Sequence, residues 1–433
     1  MYIQNGVDTI YADFINNSLY NEANDTLTRG HASLNLGFIT LQYNNINDFV
    51  SSFAENKMNV TLTGNGNGFV RINDIYQTTA KNIVFDMHNN KVDATAEGYI
   101  YYESFNMEGD STDVTFNNSK FYENETTLES TTKNIYASGL MTVSSSGAKA
   151  TFNNVLFKDN ITTAVGNSTI SGGGIKNNGT LNINTALFEN NLINSTNAAN
   201  GGAISNAKTA SIIADFVGNK AFAGTDTSTD TNAVARGGAV YNSAAGTIEK
   251  LSGVFSDNKA YAIGKTKSSA LGGAVYNKGN LTLSNIVMAD NNAVAETGTA
   301  DETNKPEALG GAVYNLGDLH INGSDGFENI ISGNKATTKI GETENTVQNG
   351  IYTAAADKNV FVNMTTDSKL FVYDTIDGVE AGYNLKFDGD ETGQAFIYNN
   401  IINANIFLDN MYLNIAQEEY LDNAKTLTLS SGH

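Results

Sequence analysis

The 433 residues carry 46 acidic against 25 basic side chains, a net charge of −21, with 40% hydrophobic content, one proline, no cysteine and no tryptophan. That balance repels nucleic acid and anionic lipid, and the missing thiols exclude disulfide staples and thiolate metal sites. Asparagine makes up about 14% of the chain, far above ordinary usage, while 20 Tyr and 21 Phe supply a core and exclude wholesale disorder.

The first 120 residues show short apolar stretches without helical period, and read as irregular N-terminal β-helix coils. The opening residues have neither the basic nor the apolar region of a secretory signal, and nowhere do 18 apolar residues run together. From Phe121 the sequence repeats. One element is Phe-x-x-Asn: Phe121 with Asn124, Phe157 with Asn160, Phe188 with Asn191, Phe216 with Asn219 and Phe255 with Asn258. Met288 with Asn291 and Ile331 with Asn334 keep the apolar volume and the amide.

The second element is a glycine pair: Gly172-Gly173, Gly201-Gly202, Gly237-Gly238, Gly272-Gly273 and Gly310-Gly311, recurring about every 29 to 38 residues, a solenoid interval. A β-branched residue follows at Ile175, Ile204, Val240, Val275 and Val313, then a variable position, then Asn177, Asn206, Asn242, Asn277 and Asn315. Adjacent rungs of a solenoid stack equivalent positions, so strand alternation puts the β-branched residue and the Asn inside and the variable residue outside. Inward Asn side chains are then expected to form hydrogen-bonded ladders. The second glycine shares the inward parity and is expected to make room for bulky apolar neighbours.

Alternating stretches such as Leu281-Thr282-Leu283 and turn signals such as Asn178-Gly179 complete the pattern. The fold expected is all-β, a single-stranded right-handed parallel β-helix of roughly 12 to 15 rungs about 4.8 Å apart, on the order of 60 to 70 Å long. Its parts are irregular coils over 1–120, the repeat β-helix with inserted loops over 121–345, and C-terminal coils over 346–433. This last part ends just after a strand signal and reads as truncated.

The segments Lys220 to Ala235, Ala260 to Ala270 and Ala293 to Ala308 read as loops leaving one side of the rod, the kind of face solenoids use for binding. The outward Tyr241, Tyr276 and Tyr314 form a candidate binding surface, an exposed aromatic ladder for a sugar or a protein. The competing reading is mutual stacking that stabilises the rod.

Catalytic chemistry is poorly supplied. His31, His88, His320 and His433 are scattered, without metal-ligand spacing. Asp388-Gly389-Asp390-Glu391, Asp110 with Asp113, Asp226 with Asp230, and Asp257 with Asp290 are the carboxylate neighbours, read as solvated turns with calcium bridging as the alternative. No cofactor and no metal site is expected.

The paired GGA[ILV] and Phe-x-x-Asn tetrapeptides resemble the hallmark of the polymorphic outer membrane protein family, type V secreted autotransporters. The resemblance spans about residues 120 to 335. It implies a β-helical passenger on a Gram-negative cell surface, an adhesin or scaffold that binds a host or neighbouring-cell protein or glycan and meets the membrane only through a barrel absent from this chain. With no catalytic constellation in the residues, no enzyme is expected. The alternative is a carbohydrate-active β-helix, a polysaccharide lyase or hydrolase, which needs a carboxylate cluster in one groove.

Overall fold

A computed structural model describes residues 2–4, 9–23, 31–62, 67–226, 232–265, 267–299, 305–356, 358–421 and 423–430. Among them the chain winds as a parallel β-solenoid. Starting at Thr9–Ile15, one face is built by thirteen successive parallel pairings that end at Thr426–Leu429. At strand spacing this is a stack of about 60 Å.

A coil begins on this face with a strand such as Thr180–Glu189, whose burial alternates except at Asn184 and Thr185, where the parity slips and the strand kinks. We call it the kinked face. The chain then turns at Phe-x-x-Asn into a strand such as Lys220–Ala223, gives off a loop, returns as Ala233–Arg236, bends at the glycine pair, and runs through Val240–Asn242 to the next kinked strand. These shorter strands stack into the looped face and correct the expectation of long loops: Lys259–Gly264 and Ser268–Leu271 take up most of the segment Ala260 to Ala270, and Lys220–Ala223 and Asn292–Thr297 open the other two.

The turn at Phe-x-x-Asn has one backbone signature. The residue before the Asn is left-handed at Asn16, Glu55, Asn89, Glu123, Asp159, Asn190, Gly218, Asp257, Asp290 and Gly333. Asn, Asp and Gly tolerate that conformation best, which explains why they dominate the position. The Phe rings stack inside, Phe121 to Phe157 to Phe188 to Phe216 to Phe255, with centroids 4.9, 4.7, 5.1 and 4.7 Å apart.

Beside the rings runs a buried amide ladder. Asn90 donates Nδ2 to Asn124 Oδ1 at 2.8 Å, and the same bond joins Asn124 to Asn160, Asn191, Asn219, Asn258, Asn291 and Asn334 in turn. The second Nδ2 hydrogen goes to a carbonyl of the preceding coil, as from Asn258 to Phe216 at 2.8 Å. Every donor and acceptor of these amides is therefore used, which makes their burial tolerable. The ladder also runs upstream through Asn17 and Asn56. Phe14, Phe53 and Met87 thus open three more copies of the motif inside residues 1–120.

At its far end the ladder stops on Asp374, whose Oδ2 accepts from Asn334 Nδ2 at 2.7 Å and from the Asn334 backbone at 3.0 Å. The second ladder joins Asn177, Asn206, Asn242, Asn277 and Asn315 with bonds of 2.7 to 2.9 Å. All five are fully buried, as are Ile175, Ile204, Val240, Val275 and Val313.

The glycine pair differs from expectation in one respect. Gly237 is left-handed, φ 61°, as is the first glycine of every copy. At the second glycine the space is taken by backbone, not by apolar side chains. A Cβ on Gly238 would strike the Gly273 carbonyl oxygen and the Lys259 amide nitrogen. Gly202, Gly273 and Gly311 meet the chain just after the next Phe-x-x-Asn in the same way, at Lys220, Asn292 and Lys335. The two motifs are opposite sides of one pinch, where the looped face dents inward until it touches the corner.

Beyond Ile351 the rod tapers. Partners on successive coils lie 28 to 43 residues apart in the asparagine ladder, 25 between Asn359 and Asn384, and 21 between Asn384 and Asn405. The taper follows a hairpin in which Lys335–Ile340 pairs antiparallel with the exposed Thr343–Gln348 and closes that column of the looped face.

Candidate functional site

The tyrosines named from the sequence do stack outside the main core. Tyr241, Tyr276, Tyr314 and a fourth member, Tyr352, have centroids 5.2, 5.3 and 5.9 Å apart. They are not an exposed ladder. Tyr276 is 5% and Tyr314 8% exposed, packed with Leu271, Leu309 and Leu316. The glycine bend explains this correction. It folds two strands toward each other, and the tyrosines of one meet the leucines of the other over the dent. Arg236 lies 5.8 Å from the Tyr276 ring centre and closes one end. Burial raises the pKa of Tyr276 and Tyr314. The motif residues Gly172, Gly173, Gly201, Gly202, Gly272, Gly310, Phe157, Phe188 and Phe255 are backbone or core and form no site.

Of the carboxylates named from the sequence, Asp113 and Asp388 lie in strands, and Asp110, Asp257, Asp290 and Asp390 lie between strands. Asp390 binds the Thr392 hydroxyl at 2.7 Å and the backbone N–H groups of Thr366, Thr392 and Gly393, and these bonds hold its carboxyl down at about 2. Asp257 and Asp290 occupy the left-handed corner before a ladder Asn. Asp230, like His433, lies outside the described residues. Among the described residues no three His, Cys, Asp or Glu side chains stand where a metal ion would need them. His320 packs on Phe361 at 4.6 Å, and His88 on Tyr122 at 4.7 Å.

The structure assembles one acidic cluster that the sequence concealed, because its members are some thirty residues apart. Arg71 Nε lies 3.1 Å from Glu103 and its guanidinium 2.8 Å from Glu108. Asn106 bridges Asp74 at 2.9 Å and Glu108 at 3.2 Å. Burial raises the pKa of Glu103 and of Asp74.

The larger feature is on the kinked face. Stacked kinks make two groove segments, one of about 420 Å³ lined by residues including Asn118, Lys120, Asn154, Thr185 and Asp215. The second, about 340 Å³, is lined by Lys250, Ser284, Asn285, Asn322, Asn363 and Thr365 among others. Asp215 Oδ1 accepts from the Val254 backbone at 2.9 Å, joining the coils between them. Left-handed Asn118, Asn154 and Asn285 make the kinks.

A partly exposed amide ladder edges the groove. Asn184 donates to Asn153, Asn153 to Asn117, Asn117 to Asn82 and Asn82 to Asp48, at 2.7 to 2.9 Å. Past Ile213 and Ser252, which interrupt it, a second polar row follows on the same face through the register partners Ser284, Asn322, Asn363 and Asp388. Each amide keeps donor and acceptor capacity beyond its ladder bond. The groove is rich in neutral donors and acceptors at rung intervals, the complement of a hydroxyl-bearing or amide-bearing chain. Sequence reading missed it, although Asn in mid-strand, where Val or Ile would be ordinary, was the available signal.

Comparison with family models, with curated proteins and with solved structures finds no match to this chain. No helix among the described residues is long and apolar enough to cross a membrane, which says nothing of a β-barrel.

Proposed function

We propose that this rod is an autotransporter-type passenger displayed on the surface of a Gram-negative cell, where it acts as an adhesin or scaffold for host or neighbouring-cell ligands. The observation that carries the reading is the groove of the kinked face, whose two segments each cross several successive coils. A long row of weak polar contacts suits an extended ligand, each rung adding a small increment of affinity. The resemblance of the repeats supports the surface location.

The test is to immobilise the chain and apply neutral and acidic polysaccharides and host matrix proteins, reading retention together with new reducing or unsaturated ends. Retention without products is expected.

One observation favours a second reading. The cluster of Asp74, Glu103 and Glu108 around Arg71 sets two carboxyls of raised pKa, Asp74 and Glu103, beside a third carboxyl and a guanidinium, a grouping a glycan-cleaving acid and base would use. Product formation abolished by Glu103→Gln would establish that reading instead.

A further inference from the structure

On the looped face, next to the root of the inserted loops, Lys220 and Lys259 are register partners on successive coils, as are Phe222 and Tyr261. All four are half-buried. The Lys220 Nζ lies 5.0 Å from the Phe222 ring centre and 5.1 Å from that of Tyr261, and the Lys259 Nζ lies 4.7 Å from the Tyr261 ring centre. Phe222 and Tyr261 meet edge to face at 5.1 Å. Two ammonium groups therefore share one ring.

Neither lysine has a carboxylate oxygen within 4 Å among the described residues. The nearest acids are engaged elsewhere. Glu296 accepts the Tyr261 hydroxyl at 2.5 Å, and Glu344 is held by Lys339 at 3.0 Å. Burial lowers the pKa of both amines; the neighbouring Lys259 lowers Lys220 further, and Lys339 lowers Lys259. Like charges on adjacent rungs oppose each other; Glu296 and Glu344 offset this only in part at Lys259, and an anion bridging the two ammonium groups would relieve it.

We propose that Lys220 and Lys259 form a binding site for an acidic sugar, whose carboxylate or sulfate oxygens bridge the two Nζ atoms while the sugar ring lies against Phe222 and Tyr261. Charge-assisted hydrogen bonds supply the strength, and the aromatic edges supply an apolar surface for the ring. The net charge of −21 does not forbid it. At 0.15 M salt distant charges are screened beyond about 8 Å, whereas these two ammonium groups touch the ligand. The site is separate from the groove of the kinked face and does not depend on the adhesive reading.

The test is calorimetric titration of the full chain with sodium glucuronate, glucose 6-sulfate and glucose. At least one acid binds, glucose does not, and which acid binds identifies the anionic group. Lys220→Gln and Lys259→Gln remove the charge and keep a polar, unbranched side chain, and each weakens binding about tenfold, the size of one charged hydrogen bond; the double variant abolishes it. Lys259→Arg retains binding and covers the case of a Gln variant that does not fold. Binding falls as pH rises through the range of the two amines, because only the ammonium forms hold the anion. Failure of both acids to bind, equal binding of glucose, or unchanged affinity in the double Gln variant overturns the proposal. Each of these results is independent of whether the groove retains a polymer.

Discussion

Gly238 and Lys259 meet through backbone alone, across a coil that narrows to the thickness of its main chain. The contact couples the two repeat motifs, and both glycines of the pair exclude a Cβ: on Gly237 it would strike the Val240 carbonyl oxygen, on Gly238 the Gly273 carbonyl oxygen and the Lys259 amide nitrogen. Gly237 also needs a left-handed backbone, which adds about 1–2 kcal/mol for an L-residue. Gly237→Ala and Gly238→Ala are each predicted to cost above about 4 kcal/mol or the loss of folding, because main chain must move in both. Thermal unfolding of the two variants checks this, and a Gly238→Ala chain that melts like the parent would remove the pinch from the account.

The buried ladder predicts a large effect from a small change. Asn258→Ala leaves both the side-chain and the backbone N–H of Asn219 without their acceptor and removes one of the two donors to the Asn291 oxygen. An unpaired buried polar group costs about 1–3 kcal/mol, so about 3 kcal/mol is expected in a denaturant titration. Replacing an edge amide, Asn153→Ala, is expected to cost under about 1 kcal/mol, since water reaches its neighbours.

At the end of the ladder, Asp374 is fully buried, and its Oδ1 has no hydrogen-bond partner. Burial raises its pKa above the ordinary carboxyl range. A raised acid contributes stability below its unfolded value, about pH 4, and loses it as pH rises through the folded value. Asp374→Asn supplies the same acceptor without the charge. It is predicted to raise the melting temperature at pH 7, with the gap to the parent chain closing as pH falls toward about 4. A lower melting temperature at pH 7 would contradict this.

Tyr276→Ala tests the stacked seam. Removing a buried ring is expected to cost about 3 kcal/mol, while retention of any ligand by the kinked face stays unchanged. Loss of retention with unaltered stability would restore the tyrosines as a binding surface.

What the sequence disclosed was whatever repeats at fixed offsets. The parity that put Val240 and Asn242 inside needed only strand alternation and five copies, and both are buried. The copies at Phe14, Phe53 and Met87 escaped because they lie far upstream of the glycine pairs that mark the repeat, and the last of them replaces the ring with Met. The tyrosines were assigned to the correct side but not to the correct environment: exposure depends on how sharply Gly272-Gly273 bends the chain toward Leu271, which alternation does not encode. The groove was hidden for a related reason. A one-residue slip at Asn154 or Asn285 reverses parity locally, and the slip is visible only once neighbouring coils are in register.

The most direct test of the central claim, that the groove is the adhesive surface, is to block it. Thr185→Trp and Asn363→Trp fill one segment each without touching either buried ladder. With the polymer or matrix protein that the parent chain retains, each variant is predicted to lower retention several-fold, and the pair to abolish it, at unchanged melting temperature. Full retention by the double variant would contradict the account and move the adhesive surface elsewhere on the rod.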